Sequence, residues 1–289
     1  MAKSARTQIR RKMIYDSHQL KKPLSDYIES IFYYKGFMPD HSIERLVPTG
    51  HVFIIFELNG LEYHTFDKDT LKPNGNFRNV WVSGMHKDYL SISAHQDSEM
   101  LVIQFKTIGA YPFIKTPIYS LNNKVLNAPE VFGDDILELR EQILESENAQ
   151  IKFKCVENWL MQIFDSSKIP KRDILDVYLQ LKTKQYTECS QIIASYPKTQ
   201  KHLISQFKTY FGLTPKVFHR IFRFKEILKN IKDKHNLLWS DIAYEFGYSD
   251  QSHFIKEFKQ FSGFNPQEFI SYDFHKGDEM NFFPLDKKG

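Results

Sequence analysis

The sequence predicts an α+β chain of several domains: a β-rich N-terminal domain folded as a sandwich or barrel, a helical linker, and an all-α C-terminal domain. Three observations lead there. Between about Ser42 and Lys106, short runs rich in aromatic and β-branched residues are separated by Gly, Pro, Asn and Asp. From Asp134 to Phe164 the apolar residues fall at helical spacing instead. Beyond residue 170 strand-like alternation disappears, and a 21-residue pattern occurs twice. KTQKHLISQFKTYFGLTPKVF spans Lys198–Phe218, and 51 positions on SDQSHFIKEFKQFSGFNPQEF spans Ser249–Phe269, with eight identities. Repeat arrays generally need three or more copies, so this pair predicts one supersecondary unit used twice at a fixed separation. The expected divisions are residues 1–130, 131–170, 171–275 and a tail at 276–289.

The chain opens with Lys3, Arg6, Arg10, Arg11 and Lys12 and no apolar stretch behind them, which predicts a disordered, solubilising tail and no secretory signal. Strands are predicted in SIERLVPTG, HVFIIFELNG, LEYHTFD, RNVWVSGM, DYLSIS and EMLVIQFK. HVFIIFEL is nearly all apolar, as for a strand buried on both faces, whereas DYLSIS alternates, as for one with a wet face. In AQIKFKCVENWLMQIF, the residues Ile151, Cys155, Trp159 and Ile163 mark the apolar stripe of a helix, and residues 134–166 are expected to bridge the two parts.

Composition narrows the function classes. There is no run of about 18 apolar residues that would span a bilayer, so a soluble, cytoplasmic chain is expected. The formal charge of +4 is unevenly placed: residues 171–275 hold 16 Lys/Arg against 11 Asp/Glu, and residues 1–170 hold 20 against 21. The repeat-bearing part is the basic one, as a polyanion partner requires. Cys155 and Cys189 have neither CxxC nor zinc-ligand spacing and read as packed thiols. His51, His64, His86 and His95 lack an H-x-H pair and read as structural. G-x-S-x-G, P-loop, G-x-G-x-x-G and H-E-x-x-H patterns are all missing, so no catalytic residue, metal site or cofactor is expected. Most of the 25 Phe and 15 Tyr read simply as core; an apolar small-molecule pocket in the β domain is the alternative, with no lining position fixed by spacing.

The repeat carries the chemistry. With Ser249 or Asp250 as N-cap, Phe254, Phe258 and Phe261 share one helix face and predict its core side. The opposite face presents Gln251, Ser252, Ile255, Lys256 and Lys259, with His253 at its edge. In the first copy Leu203, Phe207 and Tyr210 are expected inward, and Gln200, Lys201, Ile204, Ser205 and Lys208 outward. Amide and hydroxyl groups suit base edges, aliphatic groups suit thymine methyls, and lysine suits phosphate or guanine, so each face fits a DNA major groove. Upstream of the second copy, WSDIAYEFGYSDQS reads as a helix capped by Ser240 with Ile242, Ala243 and Phe246 inward, then a turn at Gly247. This is a helix-turn-helix. Gly212 and Gly263 predict C-caps, and Thr214-Pro215 and Asn265-Pro266 predict new helix starts. KVFHRIFRFKEILKNIKD is then a connecting helix, about 15 residues and roughly 20 Å long.

DIAYEFGYSDQSHFIKEFKQFSGFNPQEF resembles the signature of the AraC/XylS family of bacterial transcriptional regulators, over about a hundred C-terminal residues. The resemblance implies two helix-turn-helix units joined by a long helix. It places Gln251, Ser252, His253 and Lys256, and in the first unit Lys201, Ile204 and Ser205, at base-facing positions. The first unit departs from the pattern: its turn is two residues shorter, with Tyr196-Pro197 where a glycine turn is usual and Ser205 where arginine is frequent. Looser base selection is expected there. PLSDYIESIFYYKGF, ERLVPTGHVFIIFELNG, VIQFKTIGAYPFI and ENWLMQIF resemble the β-rich, cupin-like domain that precedes such units, which implies sensing or self-association.

A sequence-specific DNA-binding regulator is therefore expected, its partner double-stranded DNA. A small-molecule effector and a second copy of the chain are candidate partners, RNA polymerase is one if the regulator activates, and no membrane partner is expected. The alternative is a cupin-type metal-dependent enzyme with a helical protein-interaction tail.

Overall fold

Period-two alternation decides the architecture of the N-terminal part. In strand β9 (Ser98–Phe105), Leu101, Ile103 and Phe105 are fully buried on one side, while Met100 and Val102 point to the other. Strand β4 (Phe53–Glu57) pairs with it antiparallel, Ile54 opposite Ile103 and Ile55 opposite Val102, so the two faces continue from strand to strand. The computed structural model describes residues 13–184, 187–231, 237–271 and 282–285; the basic start of the chain lies outside them.

Two antiparallel sheets result. The first adds β1 (Ile14–His18), β2 (Ile28–Phe37), β7 (Val80–Ser83) and β10 (Val125–Asn127) in the order β1-β2-β9-β4-β7-β10. The second contains β3 (Ile43–Leu46), β5 (Tyr63–Phe66), β6 (Pro73–Phe77), β8 (Leu90–Ser93) and β11 (Phe282–Pro284) in the order β11-β3-β8-β5-β6. Five of these strands, β1, β2, β6, β10 and β11, lie outside the strand runs read from the sequence. β6 begins with proline and includes Gly75, which is acceptable only because it closes the edge of its sheet. β11 falls in the stretch expected to be tail.

One face of the first sheet is covered by helices. After the short helices α1 (Leu24–Tyr27) and α2 (Pro129–Phe132), α3 (Asp135–Glu145) and α4 (Ala149–Ile163) bury Ile136, Leu139, Ile143, Phe153, Val156 and Leu160 in the same core as Ile54, Phe56 and Ile103. Each fully buried side chain of this size contributes about 2 kcal/mol. The apolar stripe of α4 is thus Phe153, Val156 and Leu160, with Trp159 beside it. Ile151, expected inward, is 43% exposed. Its neighbour Lys152 is buried and donates through Nζ to the carbonyls of Ile143 and Ser146. Asn148 caps α4 by accepting from Ile151 N at 3.1 Å.

The remaining helices are α5 (Arg172–Thr183), α6 (Cys189–Ala194), α7 (Gln200–Phe211), α8 (Pro215–Ile231), α9 (Trp239–Glu245), α10 (Gln251–Ser262) and α11 (Pro266–Ser271). Their core is aromatic. Tyr178 of α5 meets Phe211 and Phe222, and Phe224 of α8 meets Phe258 and Phe261 at 5.3 and 5.1 Å between centroids.

Candidate nucleic-acid interface

The second repeat copy folds from local rules. Asp250 is the N-cap of α10 and accepts from His253 N at 2.8 Å, while Gly263 ends the helix at φ +76°. Between these stops Phe254, Phe258 and Phe261 are buried, and Gln251, Ser252, His253, Lys256 and Lys259 are exposed, with Ile255 half-buried among them. Ile242, Ala243 and Phe246 of the preceding segment are buried, and Gly247 turns at φ +70° so that Tyr248 N donates to Ala243 O at 2.9 Å. Ser240 lies inside α9 and does not cap it; Leu238 occupies the N-cap without a side-chain bond. Asn265 and Glu268 cap α11 reciprocally: Glu268 N donates to Asn265 Oδ1 at 2.8 Å, and Asn265 N to Glu268 Oε2 at 3.0 Å.

The first copy reaches the same end by a different turn. Thr199 caps α7 by accepting from His202 N at 3.2 Å, and Gly212 ends it at φ +87°. Gln200, Lys201, Ser205 and Lys208 are exposed and Ile204 is half-buried, at positions 51 before their counterparts on α10. Leu203, Phe207 and Phe211 form the core side. Tyr210, expected inward, is half-buried and meets Tyr111 of the N-terminal part edge-on at 5.3 Å. The short turn after α6 closes with Ser195 N donating to Ile192 O and Tyr196 N to Ile193 O, and among the described residues of this turn none has positive φ. That is why glycine is not required. Tyr196 is buried and its hydroxyl lies 2.8 Å from His202 Nδ1, which fixes the start of α7 where Pro197 shortens the connection.

Helix α8, 17 residues and about 25 Å long, joins the units. A buried carboxylate fastens α10 to it. Glu257 accepts from Arg220 Nε at 2.6 Å, Arg223 Nη2 at 2.9 Å and the Tyr248 hydroxyl at 2.7 Å. Burial alone raises its carboxyl, but Arg223, Tyr248 and Arg220 together hold it below the usual glutamate range. Gln206 stands at the matching place in α7. Sequence reasoning missed Glu257, although an acidic residue inside the Phe254, Phe258 and Phe261 stripe signals a buried partner.

Both units dock on the N-terminal part by the glycines that end α7 and α10. Asn122 Nδ2 donates to Gly212 O, and a Cβ at Gly212 would sit 2.7 Å from Asn122 Oδ1. Gly263 lies under the Arg45 guanidinium, which stacks on Phe264 at 4.5 Å and Tyr89 at 4.3 Å. Gln260 donates to Asp88 at 2.8 Å, and Lys225 of α8 donates to Thr49 O at 3.2 Å. The docked ends are C-terminal, so the N-terminal turns, with Gln200, Lys201, Gln251 and Ser252, stay exposed.

Between the two sheets lies a cavity of about 490 Å³ whose walls include Phe32, Tyr34, Phe53, Tyr63 and Trp81. His51 and His86 also line it. Burial, helped by the charge of Lys225, pushes His51 down to about 4, and its Nδ1 lies 2.8 Å from Phe105 O. Burial, helped by Lys68, pushes His86 down to about 4 as well. The buried Glu57 carboxylate accepts from the backbone N–H groups of Asn59, Gly60 and Leu61. Among the described residues, no group of three His, Cys, Asp or Glu is placed to hold a metal ion. Nor is any helix among them long and apolar enough to cross a membrane. Cys155 and Cys189 are free and half-buried.

Residues 196–271 match a family model described as a helix-turn-helix domain, and residues 17–127 match one described as a domain of unknown function (DUF6597). No curated relative matches the sequence. Among solved structures, the chain is distantly similar to ToxT from Vibrio cholerae. The P21 crystal form is 12% identical, with 84% of this chain and 98% of that chain covered and a TM-score of 0.45. The complex with (E)-4-(8-methylnaphthalen-1-yl)but-3-enoic acid is 13% identical, with 84% and 99% covered and a TM-score of 0.44. The unsaturated fatty acid-bound protein of strain SCE256 is 12% identical, with 84% and 95% covered and a TM-score of 0.41.

Proposed function

We propose that this chain, whose C-terminal part is a helix-turn-helix domain of the AraC type behind a β-rich domain, is a sequence-specific transcriptional regulator. Helices α7 and α10 enter adjacent major-groove segments of double-stranded DNA. One observation carries the reading: two capped helices with the same exposed mixture of amide, hydroxyl, aliphatic and amine groups are held on one rod. Gln200, Lys201, Ile204 and Ser205 face bases in the first unit, and Gln251, Ser252, His253 and Lys256 in the second. Lys208 and Lys259 meet phosphates. Residues 171–275 form the reading part and the β domain the controlling part, its cavity taking a small-molecule effector.

This function is binding and not catalysis, exercised in the cytoplasm. The AraC resemblance adds a second copy of the chain and, for an activator, RNA polymerase as partners. The test is selection of the full-length chain on a randomised double-stranded DNA library, followed by salt titration of the winning sequence. An enriched two-part site and an affinity that falls steeply with salt are expected. No enriched sequence together with salt-insensitive affinity would overturn the reading.

A further inference from the structure

Strand β11 belongs to two sites at once. On one side, Phe282 and Pro284 line the cavity between the sheets. On the other, Phe283 is fully buried against the second helix-turn-helix unit, 4.9 Å from the Phe269 ring and 6.3 Å from Phe264. The strand is held by β3, with Phe283 opposite Arg45, the residue whose guanidinium covers Gly263 at the end of α10. Alternation along three residues therefore sends two side chains into the cavity and one into the DNA-reading part.

The cavity itself selects by charge. Its walls are largely aromatic and aliphatic, and among the described residues no lysine or arginine lines it. The carboxylate on its wall, Glu44, is matched by His41, whose Nε2 lies 3.3 Å away. His51 and His86 are held neutral by burial. A carboxylate or sulfonate entering this space loses its water and meets no unpaired cation among the described residues, because His41, which its carboxylate neighbours hold more basic than an ordinary histidine, is already shared between Asp40 and Glu44. Two polar anchors are on offer: His95 Nε2 and the Tyr63 hydroxyl both belong to the cavity wall, buried and without a hydrogen-bond partner among the described residues, their rings edge-on at 4.6 Å between centroids. About 490 Å³ suits a molecule of two or three rings.

We propose that the cavity binds an uncharged, ring-bearing molecule with an N–H or O–H group for His95, and that β11 is the wall linking its occupancy to the second helix-turn-helix unit. The class of effector deepens the regulator reading given above and rests on it; the linkage through β11 is a property of this chain's own C-terminal strand. A ligand that touches Phe282 and Pro284 stabilises or displaces the strand that seats Phe283, and by reciprocity the state of α10 and α11 alters ligand affinity by the same factor.

The experiment uses two probes on the full-length chain. N-phenyl-1-naphthylamine is uncharged and carries an N–H; 1-anilinonaphthalene-8-sulfonate has the same rings with an added sulfonate. Saturable, one-site fluorescence enhancement by the first, at least tenfold tighter than by the second, is expected. Ile55→Trp, which fills the cavity, should abolish it while circular dichroism is retained, and Val102→Trp serves if that variant does not fold. Equal affinity for both probes, or binding unaffected by the filling variants, would overturn the ligand assignment. For the linkage, hydrogen exchange at the amides of Phe264–Phe269 should change at least threefold on saturation with the uncharged probe. In Phe283→Ala the probe should still bind within about twofold, but that exchange response should vanish. An undiminished response in Phe283→Ala would sink the role of β11. Because neither readout requires DNA, a chain that selects no DNA sequence defeats the regulator reading and leaves these outcomes separately legible.

Discussion

Glu257 is the residue on which the second reading unit turns. Its carboxylate is almost wholly buried and holds together Arg220 and Arg223 of α8 with Tyr248 of the turn. Removing one partner of a buried ion pair leaves the others desolvated and uncompensated, so Glu257→Ala should cost about 3 kcal/mol, read by urea denaturation at pH 7. Because the folded carboxyl sits below its ordinary range, the stabilisation is complete above that range and is lost as pH falls through the depressed value. The difference between wild type and Glu257→Ala should therefore shrink in acid; a constant difference down to the acid limit would show that the charge does not matter. Half of this arrangement is legible in the sequence. An acidic side chain amid a phenylalanine stripe announces a buried partner, but Arg220 and Arg223 lie 37 and 34 positions away, and only the crossing of α8 over α10 brings them near.

At the scale of elements, α7 and α10 present matching faces on unequal foundations. Lys208 and Lys259 sit one position after the buried Phe207 and Phe258, exposed and without an ion-pair partner among the described contacts. Replacing either with alanine should lower the salt slope of DNA binding by about one and weaken all sequences alike. Gln251→Ala combined with Lys256→Ala should instead relax selection at one half of the site by about 1–3 kcal/mol per base contact, with the helix content unchanged by circular dichroism. Loss of folding in that double variant would mean that the exposed face had been misassigned. These helices were readable because caps, glycine stops and a 3.6-residue period are local signals. Helix α4 was harder: Ile151, Cys155, Trp159 and Ile163 compete with Phe153, Val156 and Leu160 as apolar stripes, and the sheet beneath decides for the second. β2 and β11 were missed for a related reason. A strand's partner, not its own pattern, determines whether it pairs, and β11 pairs with a strand more than two hundred residues earlier.

For the whole molecule, the two parts meet where titratable groups are buried. His51 lines the cavity while its ring lies near Lys225, the α8 residue that donates to Thr49 O across the junction. Its folded value of about 4 lies below the ordinary histidine value of 6.5, so the folded state resists a proton that the unfolded chain accepts. Stability from this residue is complete above 6.5 and is lost as pH falls toward about 4; His86, also held at about 4, acts in the same direction. Each accounts for on the order of 3 kcal/mol across that interval. His51→Gln separates charge from contact, since glutamine keeps an N–H for the Phe105 carbonyl but does not titrate. Thermal unfolding followed from pH 7 to pH 4 should show a smaller drop in Tm for His51→Gln than for wild type, with the two similar at pH 7. Parallel curves would place the acid sensitivity elsewhere. A smaller drop would make the junction itself responsive to acid, because the charge opposing His51 belongs to the helix that carries both reading units.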